Sequence, residues 1–77
     1  MIRLVAIPAK KMRKILEKLG FRLARQKGSH ALFQHNDGRS TVVPMHWGED
    51  LGKGLIKAIL SDIEISIEEF DRLRQEV

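Results

Sequence analysis

The side chains in this 77-residue chain best suited to moving protons are its histidines, His30, His35 and His46. There is no cysteine, so a thiolate nucleophile, a disulfide framework and a thiolate metal site are all excluded. His30 stands out because it follows Gly28-Ser29, lies close to Lys27 and begins a stretch that reads as a strand. That placement offers an imidazole able to exchange a proton near neutral pH beside a fixed cation. His46 follows Pro44 in a loop and is a possible auxiliary acid or base, a phosphate contact or simply an exposed residue. The three histidines, completed by Glu49 or Asp50, form only a weak metal-site candidate, since their spacings match no compact ligand motif. No metal and no small-molecule cofactor is expected.

Charge gives these residues a context. The net charge is +4, but residues 1–39 carry ten cations against two anions, or +8, and the remainder four against eight, or −4. Such a basic half attracts a polyanion irrespective of base sequence. The same residues would equally serve as a solvated helix face, so composition alone leaves both readings open. The length permits one small domain and makes a large substrate cavity improbable on size grounds. No apolar run approaches a membrane span, and the start lacks the apolar core of a signal peptide. A soluble, cytoplasmic protein without a membrane partner is the expectation.

The elements that position the candidate residues follow from periodicity. Met12, Ile15, Leu16 and Leu19 form an apolar stripe that starts near Pro8 and ends at Gly20, a C-cap. Lys10, Lys11, Lys14 and Lys18 occupy the outer face of this helix. After Gly20 the period changes to two, and Gly28-Ser29 suits a tight primed hairpin turn. Asn36-Asp37-Gly38 supplies a second turn, and Ser40 to Pro44 a third strand. In this hairpin Lys27 pairs with His30, Arg25 with Leu32 and Leu23 with Gln34, which sets His30 and His35 on opposite faces. Asp50 is placed to cap a helix carrying Leu51, Leu55, Ile56, Ile59 and Leu60. Ser66 and Glu69 have capping-box spacing, and Ile65 and Phe70 the spacing of a hydrophobic staple, at the start of a third, short helix. The predicted order is α-β-β-β-α-α, an α+β two-layer sandwich with a three-stranded antiparallel sheet in one domain over 1–77.

Gly20-Phe21, Arg25-Gln26-Lys27-Gly28-Ser29-His30, Asp37-Gly38-Arg39, Val43-Pro44-Met45-His46 and Gly54-Leu55-Ile56-Lys57-Ala58-Ile59-Leu60 resemble, in order and spacing, the HicA (YcfA-like) toxin family. Ala31 stands where many relatives have a second histidine. The resemblance implies a double-stranded-RNA-binding-domain-like fold, ribonuclease activity against mRNA, a catalytic histidine at the Gly-Ser-His position, here His30, and neutralisation by a HicB-like antitoxin.

The residue chemistry is compatible with that implication. RNA supplies its own nucleophile, the 2′-hydroxyl, so cleavage needs a base, cations for the phosphate and alignment rather than a covalent residue or a metal. His30 is the candidate base. Lys10, Lys11, Lys14, Lys18, Arg25 and Lys27 are candidate RNA contacts. Ser29 is a further one, although a turn role suits it better. Phe33 and Trp47 are either base-stacking or packing aromatics. Two other functions fit the same residues: an RNA-binding module that leaves RNA intact, and a protein-interaction subunit that docks an acidic partner.

Overall fold

A computed structural model describes residues 3–46 and 48–77; Trp47, offered above as a stacking or packing residue, lies outside the described residues. The chain runs β1 (Ile7–Pro8), α1 (Ala9–Lys18), β2 (Arg22–Lys27), β3 (His30–Gln34), β4 (Ser40–Pro44), β5 (Asp50–Leu51), α2 (Lys53–Ile63) and α3 (Ile67–Glu76). Strands β2, β3 and β4 form an antiparallel meander in that spatial order, and β1 pairs with β5 in a separate two-stranded ribbon. The predicted α-β-β-β-α-α order and the α+β two-layer arrangement are what the chain adopts.

One face of the meander is covered and the other is open. Ala31, Phe33, Thr41 and Val43 alternate inward and are buried. They share a core with Met12, Ile15 and Leu16 of α1, with Ile56, Ile59, Leu60 and Ile63 of α2, and with Phe70 and Leu73 of α3. Phe33 has no exposed surface at all, so its role is packing rather than base stacking. Thr41, the buried polar residue of this face, donates from Oγ1 to Asp62 Oδ2 at 2.9 Å and ties the sheet to α2.

The end of α1 is a full Schellman closure. Phe21 N–H reaches Leu16 O and Gly20 N–H reaches Glu17 O, at 2.9 and 3.0 Å, with Gly20 at φ +97°. A Cβ on Gly20 would lie 3.0 Å from His35 Nε2, so glycine serves there both the backbone turn and the close approach of the ring.

Two expectations need correction. Asp50 does not cap α2: Asp50 and Leu51 are strand residues opposite Pro8 and Ile7, and α2 begins at Lys53 behind Gly52, which offers no capping side chain. Leu51 is buried from that ribbon rather than from the helix, while Leu55 of the expected apolar stripe is exposed. In the hairpin, Leu23 pairs with Phe33, not Gln34, because the register shifts between Leu23 and Arg25. Ala24 is the extra residue of a β-bulge. Since paired residues share a face, the bulge brings Arg22, opposite Gln34, to the same side as Arg25 and Lys27, where strict alternation would have put it on the other.

The third helix begins as expected, with Ser66 Oγ accepting from Glu69 N–H at 3.1 Å. Its predecessor ends less comfortably: Glu64 sits in the left-handed region at φ +59° and places a carboxylate at the negative end of α2. Replacing Glu64 by Gly should relieve both costs and stabilise the domain by about 0.5–1 kcal/mol, after allowance for the freer unfolded chain. A melting temperature raised by a few degrees is the expected reading, and a lowered one would show that Glu64 makes compensating contacts.

Candidate nucleic-acid interface

The open face of the meander is built by the turn that precedes His30. Gly28 takes φ +59° and Ser29 does not enter the positive-φ region, the pattern of a type II′ turn, whose twist matches that of the strands it joins. Ser29 O accepts from Met45 N–H at 2.6 Å, which extends the β3–β4 ladder past Pro44 and locks the turn to the end of the sheet. The role of Ser29 visible here is therefore backbone geometry.

With the turn fixed, Lys27 lies directly opposite His30, and His30 opposite Pro44. His30 is exposed. The next outward row is Arg25, Leu32 and Val42, and beyond it come Arg22, Gln34 and Ser40. The face thus carries cations along one edge strand, a histidine at the end of the central strand, and an apolar strip in which Val42 is 46% exposed. Neither Arg25 nor Lys27 is taken up by an ion pair among the described residues. Arg22 is held by Asn36, donating to Oδ1 at 2.8 Å.

The lysines of α1 belong to the other layer. Lys10 and Lys14 are exposed and Lys11 is half-buried, together with Pro8 and Val77 around a shallow cleft of about 260 Å³. Lys18 is engaged by α3 through Glu76 Oε1 at 2.7 Å, and Arg13 pairs with Glu17 at 3.2 Å. The predicted RNA contacts therefore divide into Arg25, Lys27 and Ser29 near His30, and Lys10, Lys11, Lys14 and Lys18 on the helix side.

His46 goes to neither set directly. It lines a groove of about 540 Å³ between the start of α1, the end of β2 and the loop leading to β5, together with Lys10, Arg13, Gln26 and Met45. No periodic signal in the sequence marks this groove, because its walls come from three segments far apart in the chain.

His35 is spoken for by the fold, on the face opposite His30. Its ring packs edge-on against Phe21, centroids 5.1 Å apart. Nδ1 lies 3.1 Å from Asp37 N and 3.2 Å from Asp37 Oδ1, so a neutral ring accepts from the amide and a protonated ring donates to the carboxylate. Arg39, to which the sequence analysis assigns no role beyond its place in Asp37-Gly38-Arg39, completes this cluster. It stacks over Phe21 at 5.1 Å, pairs with Asp37 at 2.8 Å and donates to Ile63 O at the end of α2. Among the described residues no three histidine, aspartate or glutamate side chains converge as a metal site would require.

The Arg39 backbone N–H holds the Asp37 carboxyl below its ordinary range, assisted by the guanidinium and by His35 and opposed by partial desolvation. Glu76 is likewise lowered, first by its hydrogen bond from Lys18. A carboxyl depressed in the folded state binds protons more readily in the unfolded one, so its contribution is present above the ordinary carboxylate range and fades as pH falls below about 5. The urea midpoint should therefore drop between pH 6 and pH 3, and less steeply for Asp37→Asn. An identical slope in that variant would assign the acid sensitivity to other groups.

A small α+β domain with one sheet face buried under helices and the other presenting cations and a histidine is a scaffold for meeting an anionic surface. A family model described as the HicA toxin of bacterial toxin–antitoxin systems matches residues 9–65. The chain belongs to that family, and is thus a toxin-type component of a toxin–antitoxin system. The match covers α1 to the end of α2 and leaves α3 outside it. No curated protein matches the chain. Among the described residues, no helix is long and apolar enough to cross a membrane.

Proposed function

We propose that this toxin is an endoribonuclease that cuts mRNA in the cytoplasm, with His30 as general base. The observation that carries the reading is the Lys27–His30 rung at the turn end of an uncovered sheet face, backed by Arg25. There an RNA strand can lie across the sheet without entering a deep pocket. His30 takes the proton from a 2′-hydroxyl, and the oxygen attacks the adjacent phosphorus in line. The bond to the 5′-oxygen breaks, a proton returns to that oxygen, and the products are a 2′,3′-cyclic phosphate and a free 5′-hydroxyl. Lys27 and Arg25 neutralise the charge that builds on the phosphoryl oxygens, where fixed cations contribute most to catalysis. Lys10, Lys11, Lys14 and Lys18 add electrostatic attraction from the helix side, with Lys18 first having to leave Glu76.

The partner in this reading is a HicB-like antitoxin that covers the same face. Leu32 and Val42 give that face an apolar centre and the β2 cations give it a charged rim, which fits an acidic protein with an apolar contact patch. Purified toxin incubated with a labelled mRNA should produce fragments ending in cyclic phosphate, and the antitoxin should suppress them in competition with RNA. Intact RNA at high enzyme concentration, in the absence of antitoxin, would leave the RNA-binding module as the better description.

A further inference from the structure

The groove at the start of α1 is not used by the chemistry at His30, and its walls are of mixed character. Pro8, Ala9 and Met45 give it apolar surface, Lys10 and Arg13 stand on one side, and Glu49 and Asp50 line another part of it. We propose that it holds one unpaired guanine nucleotide of the RNA that His30 cuts, an assignment that rests on the ribonuclease reading.

Size and polarity both favour a nucleotide. A volume of about 540 Å³ is in the range of pockets that take small organic ligands. A simple anion would be drawn to Lys10 and Arg13 but repelled by the two carboxylates, and a simple cation the reverse. The ligand that satisfies both has an anionic end and a hydrogen-bond-donating end, joined by a flat apolar body. A nucleotide has that construction: its phosphate suits the two cations, its base faces suit the proline, alanine and methionine surface, and its base edge suits the carboxylates.

The carboxylates also select among bases. Guanine presents two adjacent donors on its Watson–Crick edge, N1–H and the N2 amino group, which one carboxylate accepts together. Cytosine and adenine offer a single amino group beside an acceptor, and uracil offers one N–H between two carbonyl oxygens that would face the carboxylate. An accessible Watson–Crick edge requires an unpaired base, so the target is single-stranded.

The groove is also in the right place. Gln26 on its wall is the neighbour of Lys27, and Met45 is the neighbour of Pro44, the two residues that flank His30 across the sheet. A strand rounding this end of the sheet passes from the groove on the helix side to His30 on the open side within a residue step of the protein backbone.

The test uses the full chain carrying His30→Ala, so that RNA is bound without being consumed, and fluorescently labelled oligouridylates containing one central guanosine, adenosine or cytidine, or uridine throughout. The guanosine oligomer should bind at least about fivefold tighter than the all-uridine one, the lower end of what a two-bond base contact provides. Adding Glu49→Gln and Asp50→Asn should abolish the preference, all four oligomers binding alike and no more weakly than the all-uridine one binds the parent, and a parental melting curve shows that the variant is folded. Equal binding of the four by the parent, another order of preference, or a preference that survives the two substitutions would overturn the guanine assignment alone. Failure of the parent to bind any oligomer would overturn the ribonuclease reading along with it.

Discussion

The His30→Ala chain should bind RNA as the parent does and fail to cut it. The side chain is exposed at the end of the central strand, so its removal opens no cavity and orphans no buried partner. The stability cost is confined to a modest change in strand preference, within about 1 kcal/mol. A general base, by contrast, is worth about 10²–10⁴ in rate, and no other proton acceptor shares the outward row formed by Lys27, His30 and Pro44. The expected result is therefore a melting curve close to the parent's, RNA affinity within a few fold, and cleavage lowered by at least about a hundredfold. His30→Gln should behave alike, because an amide preserves hydrogen bonding but accepts no proton at neutral pH. Lys27→Ala should differ in kind, weakening RNA binding and flattening its dependence on salt, since each phosphate contact adds to that slope. A folded His30→Ala protein that cuts at the parental rate would remove His30 from the mechanism and turn attention to His46 in the groove.

How much of this was legible in the sequence depended on how local each signal is. The α1 stripe, the period-two strands and the Gly28-Ser29 and Asn36-Asp37-Gly38 turns are written in neighbouring residues, and the fold follows them, including the Lys27–His30 pair and the opposed faces of His30 and His35. The β1–β5 ribbon was not legible, since a two-residue strand has no period and its partner lies more than forty residues away in the chain. Asp50 is an acceptable helix cap by type and position, but the ribbon takes it, and α2 begins three residues later. The bulge at Ala24 was equally silent: alanine announces no irregularity, yet the extra residue decides which way Arg22 faces.

The candidate site shows the same division. His30 could be found because a turn signal, a cation and an imidazole coincide within four residues. Arg39 could not, because its importance comes from touching Phe21, Asp37 and Ile63 at once. The cationic α1 face was visible as composition, but the sequence did not show that Lys18 is bound to Glu76 or that the helix lies on the layer opposite His30. An electrostatic argument from sequence counts charges, whereas availability depends on pairs made by distant elements.

An RNA in which the nucleotide 5′ to the cut carries a 2′-deoxyribose should be bound and left intact. In the proposed reaction the attacking oxygen belongs to the substrate, and the protein contributes a base and cations around it. The chain has no cysteine, and the side chains flanking His30 in the sheet, Lys27 and Pro44, provide no hydroxyl or carboxylate to form a covalent intermediate. Ser29 joins the turn through its backbone carbonyl, and among the described residues its hydroxyl makes no hydrogen bond to a base that would activate it. Removing one 2′-oxygen therefore removes the nucleophile itself, and no rearrangement of His30 restores it, so product should be undetectable rather than merely slow to form. The deoxy oligomer keeps its phosphates and base faces and should compete with an all-ribose substrate at comparable concentration, which separates loss of chemistry from loss of binding. Fragments from the ribose substrate should end in 2′,3′-cyclic phosphate. Cleavage of the deoxy oligomer would mean that water is the nucleophile. A hydrolytic route of that kind makes different demands on the site, because His30 would then have to orient a solvent molecule opposite the departing oxygen rather than deprotonate a hydroxyl held beside the phosphorus by the ribose ring.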